Sequence, residues 1–178
     1  LRPVKINSVI RRSVNLGDAL PLARHFRGSG HILRFIEYMD AGNTNGWRAG
    51  EVVPSGELIE RIGAEWPIEP VEPAYPGEVA ERWRYRDGAG EIGFVSSVSR
   101  AFCRGCTRAR ISADGKLFTC LFSATGTDLR ALLRSGASDD RVRRTLAEVW
   151  RERDGRYSET RTPETASLPK VDMSYIGG

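Results

Sequence analysis

Cys103, Cys106 and Cys120 are the residues of this 178-residue chain whose type and spacing lend themselves to chemistry. Cys103 and Cys106 form a C-x2-C pair, a spacing at which one tight turn directs two thiolates at one centre. Cys120 follows a stretch that reads as a β-hairpin, because Arg108, Ile111, Leu117 and Phe118 flank the turn signal Asp114-Gly115. If residues 108–112 are extended, alternation places Cys106, Arg108 and Arg110 on one face. The hairpin register then decides where Cys120 points. A two-residue loop pairs Ala109 with Cys120 and turns the thiol away. A three-residue loop, Ala113-Asp114-Gly115 with Gly in the left-handed region, pairs Arg108 with Cys120. The second register is preferred here because it gathers three cysteines and two arginines on one side.

Three thiolates have several uses. A disulfide leaves one cysteine over, and the chain shows neither a signal peptide nor a transmembrane run. Structural zinc wants a fourth ligand, and the only histidines, His25 and His31, lie far upstream. An iron–sulfur cluster usually takes four cysteines, so three leave one iron open to another ligand. Neighbouring arginines would make an anion that ligand, since guanidinium forks match phosphate geometry. Equally, Arg108 and Arg110 read as solvated strand residues in an Arg-rich chain.

The elements that must position these residues follow from periodicity. Residues 4–10 alternate as a strand. Asn15 or Asp18 caps a helix running to about Phe26, with Leu20, Ala23 and Phe26 inward and Gly28 and Gly30 ending it. Residues 31–39 form a near-continuous apolar run, the mark of a parallel strand, completing a βαβ unit. The loop 42–47 precedes a helix from Pro54 to Ile62, begun at Ser55. Residues 66–76 hold four prolines in eleven positions and read as an extended connector. Residues 83–86 and 92–98 alternate about Asp87-Gly88-Ala89-Gly90 as a hairpin, so a small antiparallel sheet is expected beyond about residue 77. Residues 128–133 form a short helix, Ser138 caps a longer one striped with Val142, Leu146, Val149 and Trp150, and residues 156–178 read as an irregular tail.

Composition sets outer limits. Charged residues make up 28% and hydrophobic ones 40%, as in a soluble globular domain. Of 27 basic residues only Lys5, Lys116 and Lys170 are lysine, and the net charge is +4. No basic run is interleaved with aromatics, so nucleic acid is a weak prospect. Unpaired cysteines without an export signal favour the cytoplasm as the expected location. A start at Leu1 within a strand pattern reads as a truncated or processed piece.

C-x2-C-x-R-x-R, the Asp-Gly-Lys hairpin and Cys120-Leu121-Phe122 resemble the radical-SAM GTP 3′,8-cyclases of molybdenum cofactor biosynthesis. So do Val4-Lys5-Ile6-Asn7 and the stretch from Leu33 through Trp47. The resemblance covers essentially the whole chain. It implies an α/β fold: the C-terminal part of an incomplete TIM-like (β/α) barrel over 1–66, a connector over 67–76, an auxiliary-cluster α+β region over 77–155 and a tail over 156–178. It implies that Cys103, Cys106 and Cys120 hold a 4Fe-4S cluster whose open iron contacts the purine of GTP. Lys5, Arg34 and the segment Arg108, Ala109 and Arg110 would contact GTP, with Arg108 and Arg110 serving catalysis. Met39 would contact S-adenosyl-L-methionine, and the terminal Gly177-Gly178 would reach back into the site.

In that family a first cluster, held by C-x3-C-x2-C, generates a 5′-deoxyadenosyl radical that takes a hydrogen from the GTP ribose before the sugar carbon attacks C8 of guanine. No such motif occurs here. The chain therefore resembles only the C-terminal portion, is expected to be inactive alone, and needs the missing N-terminal half as partner; a homodimer is a further possibility. Rival readings are a radical-SAM enzyme acting on a peptide and a non-catalytic zinc-binding interaction module.

Overall fold

The computed structural model describes residues 3–176. The chain divides into two compact units, one of residues 1–39 and 47–106, the other of residues 40–46 and 107–178.

The first unit is a mixed five-stranded sheet backed by helices. Its elements are β1 (Lys5–Ile10), α1 (Arg12–Asn15), α2 (Ala19–Phe26), β2 (Ile32–Glu37), α3 (Ser55–Glu65), β3 (Ile68–Val71), β4 (Glu81–Tyr85) and β5 (Glu91–Val95). The strand order is β1-β2-β5-β4-β3. β1, β2 and β5 run parallel, while β4 and β3 are antiparallel to their neighbours. One face is the core. Ile10, Leu33, Phe35, Ile92, Phe94 and Tyr85 point into it and meet Ala19 and Ala23 of α2 and Leu58 and Ile62 of α3. β2 alternates in burial instead of being covered evenly: Leu33, Phe35 and Glu37 are buried, and Ile32, Arg34 and Ile36 are half-buried on the opposite face.

Several elements differ from the sequence reading. No side chain caps α2. Asn15 accepts from the Arg11 amide at 2.8 Å and donates to the Val9 carbonyl at 2.9 Å, so it ties β1 to the α1 turn instead. The proline-rich stretch contains β3, which pairs with β4 from Ile68 opposite Tyr85 to Val71 opposite Arg82. Pro70 is tolerated because β3 is an edge strand, where a missing donor need not face a ladder. The β4–β5 hairpin forms as expected but joins the parallel strands in one sheet.

The second unit contains β6 (Arg110–Ile111), β7 (Lys116–Phe118), β8 (Thr127–Asp128), α4 (Leu129–Arg134), α5 (Asp139–Arg151) and α6 (Pro163–Ala166). β6, β7 and β8 make a three-stranded antiparallel sheet. Asp128 caps α4 by accepting from the Ala131 amide at 2.8 Å, and Ser138 caps α5 by accepting from Arg141 at 3.4 Å. The tail is more regular than its sequence implies. Thr162 and Thr165 form a reciprocal capping box at α6, and Met173–Ile176 closes as a 3-10 turn with Ile176 buried. Gly177 and Gly178 lie outside the described residues. Among the described residues, no helix is long and apolar enough to cross a membrane.

Candidate functional site

The sheet face opposite the first unit's core carries the basic residues singled out from sequence. Asn7 pairs with Arg34, and Arg34 with Gly93, so these positions share a face with Lys5, two residues before Asn7. Gly93 has a packing reason to be glycine: a Cβ there would lie 3.1 Å from Cγ of Arg34. Lys5 and Arg34 line one cleft of about 260 Å³, together with Glu78, Arg82, Glu91 and Gly93. Arg34 reaches the buried Glu78 carboxylate at 3.6 Å, whereas Arg82 is held by Glu91 through three contacts at 2.8, 3.0 and 3.2 Å. Lys5 is exposed and makes no ion pair among the described residues. The cleft therefore offers one uncommitted ammonium and one loosely held guanidinium. Met39 lies two residues beyond the end of β2 and is half-buried.

Cys103 and Cys106 sit at either end of a 3-10 turn closed by the Cys106 amide donating to the Cys103 carbonyl at 3.2 Å. Both are half-buried, and neither forms a disulfide. The loop that feeds this turn is held by a carboxylate that sequence reasoning missed. Glu37, 2% exposed at the end of β2, accepts from the Ser55 amide and hydroxyl, the Val98 and Ser99 amides and the Ser99 hydroxyl. In sequence it is one acidic residue within an apolar strand, and no local pattern marks it.

In the second unit the hairpin adopts the three-residue register. Arg110 pairs with Phe118 and Ile111 with Leu117. Ser112 and Lys116 close the loop, with the Ser112 amide donating to the Lys116 carbonyl at 2.9 Å, and Gly115 has φ +84°. The ladder ends at Arg110 and Phe118, so Arg108 and Cys120 lie beyond it. Arg108 and Arg110 are half-buried, whereas Ala109 between them is exposed. Hydrogen bonds from Ser112 and Tyr175, aided by Lys116, hold the Asp114 carboxyl down at about 2. Cys120 is half-buried and forms no disulfide. Among the described residues, no three of His, Cys, Asp and Glu gather as the ligand set of a metal ion.

The same unit holds a buried charge cluster that the sequence reading assigned to loop and tail. Asp40 accepts from Arg161 Nε at 2.8 Å, from Lys170 Nζ at 3.1 Å and from the Tyr157 hydroxyl. Tyr157 stacks on Phe122 at 4.4 Å, and the Arg161 guanidinium lies over both rings. Asn43 accepts from the Lys170 amide at 2.9 Å and donates to its carbonyl. Burial raises the Asp40 carboxyl, but the Tyr157 hydrogen bond and the Arg161 and Lys170 charges outweigh it and hold the group below the usual range. Burial and the Asp40 charge push the Tyr157 phenol up. The signals in sequence were single polar residues more than a hundred positions apart, which no local periodicity connects.

Comparison with known proteins decides the family. A family model described as Molybdenum Cofactor Synthesis C matches residues 31–159. The chain belongs to that family. Its similarity to curated relatives covers 98–99% of the chain. It is 49% identical over 201 residues to a GTP 3′,8-cyclase of Acidothermus cellulolyticus, covering 99% of this chain and 56% of the relative. It is 50% identical over 175 residues to a GTP 3′,8-cyclase of Xanthomonas campestris pv. campestris, covering 98% and 51%. It is 44% identical over 179 residues to a GTP 3′,8-cyclase of Staphylococcus carnosus, covering 98% and 53%. The chain thus spans about half the length of the curated relatives it matches, and corresponds to their C-terminal part.

Proposed function

We propose that this chain is the GTP-binding, auxiliary-cluster half of a GTP 3′,8-cyclase, a lyase that converts GTP to (8S)-3′,8-cyclo-7,8-dihydroguanosine 5′-triphosphate in molybdopterin biosynthesis. The observation that carries the reading is near-50% identity over almost the whole chain to proteins named for that activity. The parallel β1-β2-β5 order supports taking the first unit as the end of a (β/α) barrel, because parallel strands joined through helices build such barrels.

The donor set suits a 4Fe-4S cluster. Cys103, Cys106 and Cys120 are half-buried thiols outside any disulfide, two of them on one turn. When bound, such a cluster supplies an open iron able to take a purine heteroatom. The protein's own residues then bind and orient. Lys5 and Arg34 present cations across one cleft, where a triphosphate gains charge-assisted contacts. Arg108, before β6, and Arg110, at its start, flank the purine or ribose, with Ala109 between them offering backbone. Met39 packs against S-adenosyl-L-methionine at the strand's C-terminal end. The remaining half of the enzyme is the partner that completes the site, a homodimer is the proposed assembly, and the cytoplasm is the proposed location.

Anaerobic reconstitution tests the assignment. Iron and sulfide should load in comparable amounts, about four irons per auxiliary site. Cys120→Ala should abolish that loading, because two thiolates remain. Retention of the irons by Cys120→Ala, or zinc at about one per chain in the unaltered protein, would overturn the ligand assignment.

A further inference from the structure

Glu37 has no role in the binding scheme above, yet it is among the most buried charged groups of the first unit and makes no ion pair among the described residues. A buried carboxylate without a cation survives only if hydrogen bonds replace its hydration. Here five donors do so, and they come from two separate places. Oε1 accepts from the Ser55 amide at 2.8 Å, the Ser55 hydroxyl at 3.0 Å and the Ser99 hydroxyl at 2.5 Å. Oε2 accepts from the consecutive amides of Val98 and Ser99 at 2.8 and 2.7 Å. One carboxylate therefore joins the end of β2, the start of α3 and the loop after β5.

That loop leads directly to the thiols. Only Arg100, Ala101 and Phe102 separate Ser99 from Cys103. The loop is fixed again from its other side, because the Arg100 amide donates to the Ser96 carbonyl at 3.1 Å, and Glu81 receives both the Ser96 hydroxyl at 2.7 Å and the Arg100 guanidinium at 2.5 Å. Two adjacent N–H groups converging on one oxygen form an anion-binding concavity, and a fixed anion sets their direction.

We infer that Glu37 is the positioning residue for the Cys103–Cys106 turn: its carboxylate fixes the Val98–Ser99 backbone and thereby presents the first two thiolates. The inference rests on the reading of these cysteines as metal ligands. Glutamine is not a neutral replacement, since in either amide orientation an NH2 group would face at least one backbone N–H. The loop would then lose hydrogen bonds to a charged acceptor, the stronger kind.

The test is alkylation of the metal-free, anaerobic full chain, with rates at each cysteine read by mass spectrometry and Cys120 as internal reference. Glu37→Gln should speed modification of Cys103 and Cys106 by about tenfold or more, as expected when a locally closed segment loses such bonds. Cys120 should stay within about twofold, and the circular-dichroism melt should remain cooperative. Ser99→Ala removes one donor and leaves the backbone intact, so it decides the matter if Glu37→Gln does not fold; the same selective acceleration is expected, smaller in size. Rates that are unchanged, or that rise equally at all three cysteines, would overturn the inference. Failure of the unaltered protein to reconstitute any iron–sulfur cluster would instead count against the cofactor reading, and would leave the alkylation contrast standing.

Discussion

Arg110 lies directly across from Phe118 in the β6–β7 hairpin. That pairing fixes the three-residue register, with Arg108 and Cys120 beyond the ends of the ladder. The loop that enforces it needs Gly115, whose φ of +84° suits no ordinary side chain and whose missing Cβ would stand 2.7 Å from Cβ of Arg130. Its carbonyl also accepts from the Leu129 and Arg130 amides at 3.0 and 3.2 Å, so the loop anchors the start of α4.

Gly115→Ala should therefore destabilise the second unit by about 1–3 kcal/mol, the range for backbone strain at a positive-φ site. Urea denaturation of the variant against the unaltered protein checks this. A change within about 0.5 kcal/mol, typical of a neutral surface substitution, would mean the hairpin tolerates another loop.

Asp114 should titrate at about 2, held down by Ser112 and Tyr175 with help from Lys116. Carboxyl-carbon NMR across the acid range reads this directly. Tyr175→Phe removes one donor and should move the titration upward, toward the ordinary aspartate value near 4. An unshifted Asp114 in the unaltered protein would contradict the described contacts.

Asp40 should contribute to the acid sensitivity of the second unit. Its folded carboxyl lies below the ordinary value, so its contribution is full above about pH 4 and is lost as pH falls through the folded value. Asp40→Asn leaves Arg161 and Lys170 without their carboxylate and should cost about 3–5 kcal/mol at pH 7, as breaking a buried pair does. Denaturation midpoints from pH 7 down to pH 3 check both statements. A loss under about 1 kcal/mol would mean the cations find other partners.

The legible parts of the fold were those with local signals. The cysteine spacing, the Asp-Gly turn, the Ser138 cap and the glycines ending α2 all rest on residues a few positions apart. The unread parts depend on distant partners. β3 is a strand because β4 offers it an edge, despite Pro70 within it and three more prolines around it. The tail is ordered because Asp40 lies more than a hundred residues upstream of Tyr157, Arg161 and Lys170. Glu37 reads as an interruption in an apolar strand until Ser55, Val98 and Ser99 converge on it. Of the nominated basic residues, Lys5 and Arg34 share a cleft, while Arg110 lies in β6 and Arg108 precedes it.

Lys5→Ala in the intact enzyme should weaken GTP binding with a steeper salt dependence in the unaltered protein than in the variant, since an exposed ammonium acts as a screened point charge. Titrations at two ionic strengths give the slopes. Parallel slopes would place the phosphates away from Lys5.

The central claim is that this chain binds the nucleotide, and calorimetric titration of GTP and S-adenosyl-L-methionine into the anaerobic intact enzyme tests it most directly. Arg108→Ala removes a charge-assisted contact and should weaken GTP by about 10- to 150-fold, corresponding to roughly 1.5–3 kcal/mol. Binding of S-adenosyl-L-methionine should be nearly unchanged, and Met39→Ala should show the opposite bias. Equal losses for both ligands in the Arg108 variant would make that arginine structural and contradict the account.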